Sequence, residues 1–403
     1  MASIEDKFAK LGVDNAPGQE VRQKGTAVQL VGEPLEGVRV DFSHGDVNAF
    51  PPTPGAIELF DKGFETGAVQ AYTEYRGKLS IREGLAARLA AFTGAPVNAD
   101  TELILTPGTQ GALFLAMGSN VGSGDKVAIV EPDYFANRKL VEFFDGQLVP
   151  IPMDYFGTQD GAGIDLGALE TAFRDGVKLF LFSNPNNPTG AVYSQAEIRA
   201  IGTLAARYGV KVICDELYSR QIFDNHPYTH LRALGLLDNE NLITIMGPSK
   251  TESISGFRLG AAFGSPSMIL RMEKLQAIVS LRAAGYCQAV FDCWFNEPEG
   301  FMEQRVAAHQ QIRDDMVAAF RKIPGCFVRP TQGGSYLFPK LPPLRLSIKD
   351  FVTALRVQAN VIVTPGTEFG PYPDSIRINF SQDRGAAIDA VRRIAVMVER
   401  YRI

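Results

Sequence analysis

The sequence predicts an α/β protein in two parts. A large domain over residues 55–290 carries a mostly parallel sheet flanked by helices, and a smaller α+β domain combines residues 1–54 with residues 291–403. Three observations predict this. Short apolar runs rich in β-branched residues alternate with helix-like segments, which is the pattern of a parallel sheet with crossover helices. Each run is apolar throughout and not at every second position, as a strand covered on both faces must be. After about residue 296 the texture changes to long polar helices followed by Pro- and Gly-rich strands.

In chain order, the strand-like runs of the large domain are TELILT (101–106), DKVAIVE (125–131), VKLFLFS (177–183), VKVICDE (210–216) and NLITIMG (241–247). TQGALFLAMGS (109–119) and SQAEIRAIGTLAARYG (194–209) read as helices between them. The second has a start signal: Ser194 as N-cap with Glu197 three residues on, a capping box. In the smaller domain a polar helix over 301–322 leads to GGSYLFPK, VIVTPGTEFG and SIRINFS. A chain of 403 residues exceeds one ordinary core, so two domains are expected.

Composition excludes several classes of function. The net charge is −5 with no basic block, which argues against a nucleic-acid partner. The opening MASIEDKFAK has early acids and no apolar core, unlike a signal peptide, and no apolar stretch reaches membrane-spanning length. Cys214, Cys287, Cys293 and Cys326 are too scattered for a zinc ribbon or a disulfide framework, so no metal site is expected and a reducing cytoplasm fits best.

Ligands of such sheets bind beyond the carboxyl ends of the strands. Those ends read PGTQG, EPDY, NPNNPTG, DELY and GPSK, each offering a polar or aromatic group. The stretch LFSNPNNPTG (181–190) holds far more turn formers than a turn requires. Gly108, Thr109 and Gln110 open a helix, where free N–H groups and the helix dipole favour an anion; a glycine-capped helix is the plain alternative. Tyr134 is a stacking plate for a flat ring or a core tyrosine. Asp215, directly after an apolar run, must be partnered or functional, and Tyr218 lies three residues on. Lys250 at a buried strand end suits a Schiff-base nucleophile. Arg258 is a second phosphate ligand or a salt-bridged loop residue. Together they describe a flat aromatic ligand with a phosphate at one end, a ring nitrogen for Asp215, a ring oxygen for Asn187 and Tyr218, and an aldehyde for Lys250. That ligand is pyridoxal 5′-phosphate.

Tyr72, PGTQ, NNPTG, DELY, SK followed by GFRLG, and SIRINF, in this order, resemble the class I and II aminotransferases of the fold-type I pyridoxal-phosphate enzymes, from about residue 40 to the end. The resemblance implies an aspartate-aminotransferase-like fold and assigns roles. Lys250 is the Schiff-base lysine, Asp215 the pyridinium partner, and Asn187 and Tyr218 the ligands of the ring oxygen. Gly108, Thr109, Gln110, Ser249 and Arg258 form the phosphate cup, and Tyr134 stacks on the ring. Arg377 grips the substrate α-carboxylate, near Gly45 and Asn187. Tyr72 crosses to the neighbouring subunit's phosphate, which implies a homodimer with shared sites. Asn186, Thr189 and Gly190 are read as scaffold.

The substrate side departs from the family pattern. The N-terminal glycine segment is Ser43-His44-Gly45-Asp46-Val47-Asn48, and His44 either faces the substrate or is structural. The loop 280–286 carries Arg282 where hydroxyl residues are usual; Arg282 contacts the neighbour's phosphate, an anionic substrate, or a surface acid. Arg76 is a further candidate for an acidic side chain. The expected reaction exchanges an amino group between an L-amino acid and a 2-oxo acid. The alternative is elimination, substitution or cyclisation on an amino acid, as in 1-aminocyclopropane-1-carboxylate synthases and capreomycidine-type cyclases.

Overall fold

Each strand of the central sheet sends successive side chains to opposite faces, and both faces are covered. Ala128, Val130, Phe180, Phe182, Val212 and Cys214 belong to one buried cluster. Their chain neighbours Val127, Ile129, Leu179, Leu181 and Ile213 belong to another. This is why the strand-forming runs carry no polar alternation. The computed structural model describes residues 3–11, 28–158 and 160–403.

The sheet has seven strands: β1 (Leu103–Pro107), β2 (Lys126–Glu131), β3 (Gln147–Pro152), β4 (Leu179–Ser183), β5 (Lys211–Asp215), β6 (Leu242–Met246) and β7 (Leu259–Gly264). Their order across the sheet is β1-β7-β6-β5-β4-β2-β3. Strand β7 runs antiparallel to both neighbours, and the other pairs are parallel. Two strands are not among the runs legible in the sequence, and each has a local reason. Strand β3 contains Pro150 and Pro152, which a strand tolerates at a sheet edge, where β3 lies. Strand β7 is LGAAFG, poor in β-formers because the helix Gly108–Gly118 comes too close for side chains.

The helix Gln195–Tyr208 starts as its sequence predicts. Ser194 Oγ accepts from the Glu197 N–H, and Glu197 Oε2 accepts from the Ser194 N–H. Glu197 also accepts from the backbone of Ala162 and Gly163, which ties a loop across the sheet to this helix end.

A third cluster gathers Val40, Phe42 and Phe50 with apolar residues from Ile312 to Tyr401, joined by Phe223. Here Val40–Asp41 pairs in parallel with Val361–Ile362, and Tyr336–Leu337, Ile376–Asn379 and Thr364–Pro365 form a small antiparallel sheet. The helices Phe301–Phe320, Ile348–Ala359 and Arg384–Tyr401 cover it. The N-terminal stretch 1–54 does not act as one unit. Its helix Ile4–Leu11 packs on the helix Phe135–Phe143 beside the large sheet, with Lys7 Nζ 5.0 Å from the Phe143 ring centroid and 3.3 Å from Asp145. Residues 1–2 and 12–27 of that stretch lie outside the described residues. Among the described residues no helix is long and apolar enough to cross a membrane, and no three His, Cys, Asp or Glu side chains gather as a metal site.

Candidate active site

The carboxyl ends of the parallel strands converge on a cavity of 230 Å³. After β1 the chain turns through Gly108 at φ 76°, a conformation that favours glycine, and Thr109 and Gln110 begin the helix. Thr109 and Gln110 line the cavity, so the first turn presents backbone N–H groups to it. Strand β7 presses on this turn: a Cβ on Gly260 would lie 2.5 Å from Thr109 N and 2.7 Å from Gly108 O. Arg258, held at φ 54°, donates through Nη1 to Ser255 O at 3.1 Å. Its guanidinium crowds Gly108 so closely that a Cβ there would meet Arg258 Cζ at 2.9 Å. Ser249 Oγ donates to Leu259 O at 3.3 Å. Gly108, Thr109, Gln110, Ser249 and Arg258 therefore form one electropositive cup at a helix N-terminus, a setting that suits a phosphate.

The floor comes from β4 and β5, where Ser183 and Asp215 stand side by side. Asp215 is buried, lines the cavity and accepts from the Leu217 N–H at 3.1 Å. Burial pushes its pKa up to about 6, which the backbone hydrogen bond only partly opposes. Such a carboxylate is stabilised by a cation brought into the cavity. Beside it stands Asp133, which sequence reasoning missed. It accepts from Ser183 Oγ and from the N–H groups of Ser183 and Tyr134. Burial pushes Asp133 up to about 7. Tyr134 lines the cavity wall with its hydroxyl donating to Gln110 Oε1 at 3.1 Å.

The turn 184–190 resolves the crowding of its sequence. Asn186 Oδ1 accepts from the N–H and the hydroxyl of Thr189, its amide donates to Pro132 O, and its backbone bonds Gly190 and Ala191. Gly190, at φ 67°, leaves no room for a Cβ beside Thr331 and Gly333. The turn aims Asn187 into the cavity, with its N–H donating to Ser183 Oγ at 3.2 Å.

Lys250, four residues beyond β6, faces the cavity, and no hydrogen bond or ion pair engages its Nζ among the described residues. It also lines an adjoining cavity of 240 Å³ with His44, Gly45 and Tyr218. Tyr218 Oη donates to Tyr336 Oη at 2.8 Å. Arg377 reaches in from the small sheet: Nη1 donates to Asn187 Oδ1 at 3.2 Å and Nη2 to Ser43 O at 3.0 Å. Its guanidinium lies over the rings of Tyr336 and Phe369, 4.7 and 4.9 Å from their centroids, and Nη2 also donates to Thr364 Oγ1 at 3.4 Å. The two rings and the hydrogen bonds hold the planar cation in place. Neither Tyr336 nor Phe369 stands out in the sequence for this role, because each is an aromatic in a short apolar run.

His44 lines both cavities but remains largely solvent-exposed, 3.6 Å from Asp41. Gly45 abuts Ser381, whose Oγ would lie 3.2 Å from a Cβ there. Of the residues named from the sequence, Gly45 and Gly108 border the 230 Å³ cavity without lining it, and Tyr72, Arg282 and Arg76 lie away from it. Tyr72 is 81% exposed. Arg282 lies over the rings of Tyr72 and Tyr75, 5.7 and 5.6 Å from their centroids. Arg76 is turned away: its Nε donates to Glu273 at 3.0 Å and its Nη1 to Asp100 O, so it is not available to an acidic substrate side chain.

The family profile described as aminotransferase class I and II matches residues 40–394. An aspartate aminotransferase of Sulfolobus acidocaldarius is 28% identical over 339 residues, 82% of this chain and 83% of that one. A putative aminotransferase of Bacillus subtilis is 30% identical over 375 residues, 92% of this chain and 90% of the other. Among solved structures, an aspartate aminotransferase from Rhodobacter sphaeroides is 60% identical, covers 100% of both chains and superposes with a TM-score of 0.94. With the sheet, the converging strand ends and the match over nearly the whole length, the chain belongs to the class I and II aminotransferases.

Proposed function

We propose that this aminotransferase uses pyridoxal 5′-phosphate to move the amino group of an acidic L-amino acid, aspartate in the first instance, to a 2-oxo acid. One observation carries the proposal: a single cavity gathers a lysine, a buried carboxylate lacking a cation, an arginine fork and an electropositive helix N-terminus. The donor set fits the cofactor. Gly108, Thr109, Gln110, Ser249 and Arg258 would hold the phosphate, Tyr134 the ring face, Asn187 and Tyr218 the ring oxygen, Asp215 the ring nitrogen and Lys250 the aldehyde carbon. Bound there, the cofactor supplies an electron sink that weakens bonds at a substrate's α-carbon.

The chain's own residues do the rest. Arg377 receives the α-carboxylate in a bidentate fork, with Gly45 close by. Lys250 Nζ would be placed to accept the α-proton and to return it two atoms along, on the far side of the transferred nitrogen, which is the proton movement that amino transfer requires. Asp215 keeps a proton on the ring nitrogen, since its anion is stabilised by that cation in a buried place. Aspartate as donor rests on the description of the relative that is 60% identical.

The active unit we propose is a homodimer. Tyr72 is exposed, and so are Phe64 and Val69 before it and Ile278 and Leu281 of the segment whose Arg282 lies over the Tyr72 ring, each more than half; this much exposed apolar surface favours a partner. If Tyr72 enters the neighbour's phosphate cup, Arg282 beside it arrives at the same site with a charge for an anionic group. We also assign residues 55–290 to the cofactor domain and the N-terminal segment with 291–403 to the smaller one; its stretch from Val31 to Leu35 bonds to Gln358 and Tyr401, whereas the helix Ile4–Leu11 packs beside the large sheet. A cytoplasmic location accords with four cysteines that are all free.

The test is borohydride reduction of the protein loaded with pyridoxal phosphate, followed by peptide mapping. The adduct is expected on Lys250, absent from Lys250→Ala, and accompanied in the unreduced protein by amino transfer from aspartate to 2-oxoglutarate. An adduct spread over surface lysines, or no uptake, overturns the reading.

A further inference from the structure

Tyr336 has no part in the mechanism above, yet it touches the polar groups used at the substrate end. It lies on the strand Tyr336–Leu337, opposite Asn379, and is 4% exposed. Its hydroxyl accepts from Tyr218 Oη at 2.8 Å, and the two rings meet edge to face with centroids 5.4 Å apart. Its ring carries the Arg377 guanidinium, and it lines the same cavity as Lys250.

Two phenols in contact place a single O–H along the line between them, so one is donor and the other acceptor. The surroundings decide which. Burial opposes charge on Tyr336, but Arg377 and Lys250 outweigh it and, with hydrogen bonds from Tyr218 and Asn379, bring its pKa below the usual tyrosine value. Tyr218 is pushed well up, first by burial and then by Tyr336 itself, with Asp215 adding to the effect and Arg377 opposing it. Tyr134, the remaining tyrosine facing the cavity, is also pushed up by burial and by Tyr336. The acceptor is therefore Tyr336.

We propose that Tyr336 is a positioning residue for the amino-transfer reaction: it competes with the cofactor's ring oxygen for the Tyr218 proton and thereby sets the pH at which the linkage between Lys250 and the cofactor deprotonates. The proposal rests on the pyridoxal-phosphate reading. Tyr218 gives less of its proton to the ring oxygen while Tyr336 shares it. Removing the Tyr336 hydroxyl frees the whole donor for that oxygen, and that change favours the deprotonated linkage.

The experiment has two arms. In the apoprotein, an ultraviolet titration of tyrosinate should show a step earlier than the bulk tyrosines, lost in Tyr336→Phe. In the loaded protein, the midpoint of the visible absorbance against pH should fall by about 0.7 unit in Tyr336→Phe, the equivalent of one ordinary hydrogen bond. The same substitution made in a Tyr218→Phe background should move the midpoint little. A loaded Tyr336→Phe protein with an unmoved midpoint overturns the proposal alone, as does an equal shift with and without Tyr218. A protein that takes up no pyridoxal phosphate overturns the cofactor reading and the proposal together.

Discussion

The tightest steric test of the cofactor cup is one methyl group. In Gly260→Ala the new Cβ would lie 2.5 Å from Thr109 N and 2.7 Å from Gly108 O. These are backbone atoms, so no side chain can swing aside. Restoring an ordinary contact of ~3.5 Å requires about 1 Å of relative movement between β7 and the first turn of the helix Gly108–Gly118. Overpacking of this kind costs about 1–3 kcal/mol of stability. The same movement lengthens the hydrogen bonds from that turn to a phosphate. Losing one charge-assisted bond of about 1.5–3 kcal/mol weakens cofactor binding roughly 10- to 100-fold. Gly256, four residues earlier, is the control: a Cβ there meets nothing within 4 Å. The assay is a fluorescence titration of apoprotein with pyridoxal phosphate, alongside urea unfolding. Gly256→Ala should match the unaltered protein in both. If Gly260→Ala also matches it, the cup does not depend on β7 and the steric reasoning fails.

Other outcomes rest on the same geometry. Arg377→Lys keeps the charge but loses the fork and the planar group over the two rings, so KM for aspartate should rise about 10- to 100-fold while cofactor affinity holds; an unchanged KM would place the carboxylate elsewhere. Lys250→Ala and Tyr72→Ala subunits, inactive separately, should regain roughly a quarter of full activity when mixed and refolded, since a two-fold dimer then owns one intact site; no recovery would mean that Tyr72 serves its own subunit. His309 is buried, and desolvation lowers its pKa to about 4 from 6.5. The folded protein thus binds fewer protons than the unfolded chain between these values. Stability is full above about pH 6.5 and declines by up to about 3 kcal/mol as pH falls towards 4. His309→Gln should flatten that decline in urea titrations at successive pH values, and an identical slope would refute the assignment.

One side of the site is legible in the sequence and the other is hidden. The residues proposed to hold the cofactor sit where parallel strands end, so the residues that close each apolar run point directly to Asp215 and Lys250. Tyr336 and Phe369 sit in short strands and turns of a second sheet, and only the packing of that sheet brings them to Arg377. Asp133 escapes notice because EPDY directs attention to its tyrosine, although the carboxylate is the buried group. Strands β3 and β7 escape because proline and glycine are poor strand formers by propensity, whereas an edge position and a close backbone contact make each suitable here. Arg76 misleads for a related reason: an arginine close to Tyr72 in sequence finds its acid on another helix, here Glu273.

The helix Phe301–Phe320 shows most clearly how packing carries information that local sequence does not. Arg305, His309 and Arg313 recur every four residues, so they share one face, and all three are buried. Arg305 donates to Ser253 Oγ and Thr251 O, just beyond Lys250, and to Pro51 O. His309 Nδ1 lies 2.8 Å from Arg305 O, which can only accept, so Nδ1 carries the proton and Nε2 accepts from Ser381 Oγ at 2.9 Å. Ser381 in turn abuts Gly45. Arg313 donates to Thr331 O, beside the turn that aims Asn187. From sequence this stripe reads only as part of a polar helix. In the fold it fastens the loops of Lys250, Gly45 and Asn187 to one rigid element, so a charge change at His309 should disturb the substrate side of the site before it disturbs the cofactor cup.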